Sequence, residues 1–175
     1  TDFWVPGDGS YYVSDIRDKF PDEIEEDALD TQKYVVAQIQ ECYSRAVRYY
    51  QIDTEAVIDE LFDTIESSPA TSSNPADYID AHSLEYRELT YYGQYSLNYI
   101  FHKFMEGEQN GLRGQLMRIL LDDLAPEAKL RLYAETGQEY FDEWAKGAVQ
   151  VLEQHDMDWI KENQPAMWIY LQMVE

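Results

Sequence analysis

The sequence predicts an all-α protein: a compact bundle of about six or seven helices behind a short N-terminal hairpin or extended arm. Three observations point there. Apolar residues recur at i+3 and i+4 along most of the 175 residues, the period of a helix with one buried face. Start and stop residues fall between these runs. Hydrophobic residues make up 45% of the chain and aromatics 14%, enough to fill a core and to exclude wholesale disorder. The length suits one domain, residues 1–175.

Residues 3–13, FWVPGDGSYYV, place Pro6-Gly7-Asp8-Gly9 between two short aromatic and β-branched runs, which reads as a hairpin or an ordered arm. Residues 1–30 form an acidic arm with 10 acids and 2 bases. Pro21 suits the first position of a helix, with acids behind it favoured by the helix dipole. Over 31–51, Val35, Ile39, Cys42, Ala46 and Tyr50 predict an apolar helix face, on which Cys42 is an inert core thiol. Asp53 reads as the N-cap of the next helix, with Val57, Ile58, Leu61, Phe62 and Ile65 facing inward. Residues 67–76, SSPATSSNPA, hold no charge and two prolines, the signature of an exposed loop or flexible linker.

Ser83 is the expected cap of a helix over 84–105, with Leu89, Gly93, Leu97 and Phe104 on its apolar side. Asn110-Gly111 ends it. Leu112, Leu116, Ile119, Leu120 and Leu124 predict a helix over 112–124. Pro126 opens a segment that Thr136-Gly137 closes. The clearest amphipathic helix spans 138–154, through Phe141, Trp144, Ala145, Ala148, Val149 and Leu152. Residues 156–175, interrupted by Pro165, are apolar enough to dock on the core.

Charge sets the chain apart. Asp and Glu number 35 against 13 Lys and Arg, a formal net charge of −22. Such a surface repels nucleic acid and anionic membranes rather than binding them. Cys42 is the only cysteine, so no intrachain disulfide can form. With no apolar signal-like run and no stretch able to span a bilayer, a cytoplasmic protein is expected.

Chemical motifs are sparse. His82, His102 and His155 are scattered, and His82 with Glu85 at i,i+3 is the one pair with metal-ligand spacing. No His-Glu-x-x-His, P-loop, Gly-x-Ser-x-Gly or EF-hand pattern occurs. No catalytic residue, cofactor or metal is therefore predicted. Arg113 and Arg118 read as structural neutralisers, with Arg118 able to pair with Asp122 at i+4.

The candidate site is acidic. Glu55, Asp59, Asp63 and Glu66 make one stripe on their helix, with Glu60 beside it, and no Lys or Arg lies between Arg48 and Arg87. Like charges at this spacing disfavour a helix by about 0.2–0.5 kcal/mol per pair, so a stripe without counter-charge suggests an external use. Its charges rise about 6 Å apart, whereas duplex DNA carries one per roughly 1.7 Å. Several acidic segments would have to combine to imitate it. Asp22, Glu23, Glu25 and Glu26 are the first to add, and Glu135, Glu139, Asp142 and Glu143 could extend the set. Tyr92 and Tyr95 are candidate aromatic anchors.

The expected function is non-enzymatic: an acidic inhibitor that occludes a basic, nucleic-acid-binding surface of a partner protein, as a phage protein acting against CRISPR or restriction machinery would. The alternatives are an immunity or antitoxin protein against a basic nuclease, a carboxylate metalloprotein or enzyme, and an ordinary domain adapted to high salt. Oligomeric state is left open.

Overall fold

The computed structural model describes residues 21–174, except the side chains of 21–27 and 29. The hairpin expected at 3–13 lies outside them. Every regular element described is helical. The chain divides into two units, residues 1–42 and 43–175.

The first unit contributes the N-terminal part of α1, Pro21–Tyr50, which starts at Pro21 as expected and runs unbroken into the helix expected from 31. Its apolar stripe is real in spacing but not in burial. Tyr34 and Val35 are exposed, and so is Cys42, which corrects its reading as a core thiol. Periodicity shows which residues share a face; it does not show that anything covers that face.

The second unit holds the core. The end of α1 enters it through buried Val47 and through Tyr43, whose ring meets Tyr92 edge-on at 5.0 Å. α2 (Thr54–Glu66) starts as expected, with Asp53 accepting from the Ala56 N–H at 3.2 Å. It buries Ile58, Phe62 and Ile65. The 67–76 stretch is a built loop rather than a linker. Tyr78 Oη donates to the Ser72 carbonyl at 3.1 Å, Ser72 Oγ donates to Asp77 at 2.5 Å, and Asn74 caps α3 (Pro75–Ala81).

The helix expected over 84–105 is two helices, α4 (Ser83–Tyr91) and α5 (Gln94–Glu106). Ser83 is the first residue of α4 rather than its cap. Gly93 separates the two at φ 52°, a left-handed backbone that glycine adopts without steric cost. α6 (Leu112–Leu124) matches its expected bounds. A short 3₁₀ turn at Pro126–Ala128 and an extended stretch lead to α7 (Gly137–Gln154). There Thr136 accepts from the Glu139 N–H at 3.1 Å, so it opens this helix rather than closing the segment before it. α8 (Met157–Asn163) and α9 (Pro165–Met173) complete the unit, split by Pro165.

α9 packs on α5, α7 and α8. Tyr170 presents its ring edge to Phe101, Phe141 and Trp144, and Phe104 stacks on Phe141 at 4.7 Å. α6 lies between α5 and α7 and also touches α2 and α4. Its contact with α7 is unusually close: a Cβ built on Gly137 would lie 2.0 Å from the Gly114 carbonyl oxygen. A side chain at Gly137 would keep these backbones apart, and one at Gly114 would strike the Gln109 carbonyl oxygen just before α6.

Candidate functional site

The acidic stripe of α2 faces a cation supplied by another helix. Arg113, in the first turn of α6, donates Nε–H to Glu66, Nη2–H to Asp63 at 2.5 Å and Nη1–H to Asp59 at 3.2 Å. Nη1 also donates to Tyr99 Oη at 2.9 Å, and Tyr99 donates its own hydroxyl to Asp59 at 2.5 Å. The guanidinium lies 5.2 Å from the centre of the Phe62 ring. The expectation of a stripe without counter-charge is thus corrected. Local sequence holds no base, but the fold brings one in from 47 residues beyond Glu66.

This network shifts its own members. The Tyr99 hydroxyl, with the Arg113 charge, holds the Asp59 carboxyl below its ordinary range against the opposing effect of burial. Burial and the bond to Asp59 raise the Tyr99 phenol. Burial works against the Arg113 charge, yet Glu66 and Asp63 outweigh it and raise its pKa. Three acids and one arginine therefore lock α2 to α6.

The other candidate residues are dispersed. Glu55 and Glu60 are exposed on α2. Tyr95 and Glu55 border a groove of about 330 Å³ with Tyr99, His102 and Lys103. Tyr92 is buried at 8% exposure, where it packs on Tyr43 rather than projecting as an anchor. Asp22, Glu23, Glu25 and Glu26 fall in α1 by backbone, and their side chains lie outside the described residues.

A second acidic region lies at the start of α7. Glu139, Asp142 and Glu143 line an open groove of about 520 Å³ together with Leu132, Tyr133 and Lys146. Tyr133 is 87% exposed and Leu132 37%. Each carboxylate has a light partner: the Glu135 N–H for Glu139 at 3.1 Å, the Gln138 amide for Asp142 at 3.0 Å, and exposed Lys146 for Glu143 at 3.0 Å. Glu135 is exposed beside them, while Arg131, also exposed, does not line the groove. Leu132 and Tyr133 are not among the residues that pattern and charge single out in the sequence. The signal available was an apolar pair in a segment with no helical period, which has no obvious face to bury.

The two regions meet across one turn of α6. Arg113 reaches α2, Gly114 receives Gly137, and Gln115 donates to the Glu135 carbonyl at 2.8 Å. Residues two apart leave a helix about 200° apart, so the acidic regions flank this turn on opposite sides.

A third polar set is internal to the bundle. Asp122 accepts from Tyr140 Oη at 2.5 Å, Tyr140 accepts from the Leu130 N–H, and Arg118 lies 4.3 Å over the Tyr140 ring. Arg118 thus stacks on Tyr140; among the described residues no ion pair joins it to Asp122. Burial raises the Asp122 carboxyl despite the Tyr140 bond. Burial and Asp122 push the Tyr140 phenol up to about 12. Among the described residues no group of three or more His, Cys, Asp or Glu side chains is placed to hold a metal ion, and no helix is long and apolar enough to cross a membrane.

No protein-family model matches the sequence, and no curated protein or solved structure is significantly similar to it.

Proposed function

We propose that the protein binds a basic, nucleic-acid-binding partner and occupies the arginine and lysine sites that phosphates would otherwise fill. The observation that carries this reading is the α7 groove. It sets a nearly fully exposed tyrosine and Leu132 beside Glu139, Asp142 and Glu143. Carboxylates fork onto guanidinium groups, and a phenol ring stacks on them. The −22 charge steers a cationic partner toward the surface and speeds encounter, while Tyr133 supplies the central contact area that anchors most interfaces. The exposed acids of α2, Glu55 and Glu60, add to the field. A cytoplasmic inhibitor such as a phage protein directed at CRISPR or restriction machinery is one setting for this physics.

An arginine-rich peptide tests the reading by calorimetric titration. Binding is expected to weaken at least tenfold between about 50 and 500 mM salt. The variant Glu139→Gln/Asp142→Asn/Glu143→Gln, and separately Tyr133→Ala, should each weaken it further at low salt. Equal affinity for the peptide before and after the triple replacement would remove the groove from the binding surface.

A further inference from the structure

The loop after α2 and the junction of α3 with α4 bring together a serine, a histidine and a glutamate that the acidic surface does not use. Ser68 Oγ lies 2.8 Å from His82 Nε2, and His82 Nδ1 lies 3.4 Å from Glu85 Oε1. The histidine backbone is fixed from both sides. Its N–H is shared by the Tyr78 and Ile79 carbonyls, each at 3.1 Å, and its own carbonyl accepts from the Tyr86 N–H at 3.0 Å. His82 therefore ends one helix and begins the next, which limits where its ring can go.

The order of donors follows from the partners. An ionised carboxylate only accepts, so the Glu85 charge beside Nδ1, an ion-pair contact at 3.4 Å rather than a hydrogen bond, favours the neutral tautomer with its proton on Nδ1. The lone pair of Nε2 is then left for the Ser68 hydroxyl. Nucleophile, base and orienting carboxylate in this sequence is the arrangement that activates a serine. Ser68 is half-buried, and the His82 and Glu85 side chains are 16% and 30% exposed, so a small reagent can reach the hydroxyl. The residue after Ser68 is Pro69, which has no N–H to offer a developing oxyanion. That confines the chemistry to acyl donors with good leaving groups.

We propose that Ser68 is a nucleophile activated by His82, with Glu85 as its positioning residue, and that it accepts the acyl group of small activated esters. Ser68 Oγ bonds to the ester carbonyl carbon as its proton passes to His82 Nε2. The bond from that carbon to the leaving oxygen then breaks, and Nε2 returns the proton to the departing phenol or alcohol. Water, deprotonated by the same nitrogen, later releases the acid and restores the hydroxyl. This activity is independent of the binding surface on α7.

The probe is p-nitrophenyl acetate, with release of nitrophenol followed by absorbance and the adduct mapped by peptide mass spectrometry. The intact protein should carry acetyl on Ser68 in preference to Ser67 and Ser73. His82→Gln should slow formation of that adduct about 10²-fold, the scale of general-base assistance. Glu85→Ala should slow it less, with Glu85→Asp restoring part of the rate, and thermal unfolding by circular dichroism should confirm that each variant is folded. Acetyl spread evenly over the neighbouring serines of the unaltered protein, or a folded His82→Gln acylated at the original rate, would overturn the proposal.

Discussion

On α2, Asp59, Asp63 and Glu66 share one half-buried arginine, whereas on α7 Glu139, Asp142 and Glu143 meet a backbone N–H, an amide and an exposed lysine. Both sets arise from acids spaced three and four residues apart on a helix. What separates them is the element opposite. The Arg113 side chain is only 22% exposed and satisfies three carboxylates and a phenol at once, so it has a structural role that resists replacement. The Lys146 side chain is 69% exposed, and a solvated pair of that kind contributes about 0–1 kcal/mol. One region uses its charge to hold helices together. The other leaves its charge exposed to solvent.

The turn of α6 between them gives the largest expected effect. Gly137→Ala would drive a methyl group into the Gly114 backbone at 2.0 Å, and neither backbone is free to yield as a side chain end would. A loss of about 3 kcal/mol is expected, read from urea unfolding. A variant within about 0.5 kcal/mol of wild type, the range of ordinary surface replacements, would mean that α6 and α7 can part without cost. The two acidic regions would then not be set by one turn.

Arg113→Met comes next. It keeps an unbranched side chain while removing the guanidinium that lies over Phe62 and leaving three carboxylates without their cation. Breaking a fully buried pair costs about 3–5 kcal/mol; solvent reaches these acids, so about 2 kcal/mol is the expected loss. Affinity for the arginine-rich peptide should stay unchanged if that binding belongs to α7. Peptide binding lost with Arg113, in a protein still folded, would assign the α2 stripe an external role after all.

The helical class was legible because apolar period and capping chemistry are local. Asp53 and the 112–124 run show this, since each signal lies within a few residues of its effect. Gly93 was counted on an apolar face because a lone glycine fits a helical period as well as it breaks one. The acidic stripe was legible as a pattern on α2, but its meaning was not. Arg113 sits in another helix, and a counter-charge that arrives through tertiary contact leaves no mark within the stripe's own stretch. Tyr133 was missed for the opposite reason, since exposure is set by what fails to cover a residue. Ser68 and His82 are 14 residues apart across a loop and a helix, a spacing with no motif attached to it.

The smallest effect concerns pH, and it has opposite signs in the two polar networks that meet α6. Asp59 titrates below its ordinary value in the folded state. The unfolded chain therefore binds more protons there, and stability rises with pH in that window. Its contribution is present above about pH 4, the unfolded carboxyl value, and is lost as pH falls through the lower folded value. Asp122 titrates above its ordinary value because it is buried. The folded chain then binds more protons, so stability falls as pH rises from about 4 through the higher folded value. Asp59→Asn should flatten the acid limb of a stability–pH curve below about pH 4, and Asp122→Asn should flatten the decline above it. Urea midpoints across pH 2.5–6.5, roughly the span around the ordinary carboxyl value, would show both. If Asp122→Asn instead flattened the rise of stability below about pH 4, the Asp122 carboxyl would be ionised more readily in the fold than in water. The Tyr140 bond would then outweigh burial, and this network would share the sign of the one around Arg113.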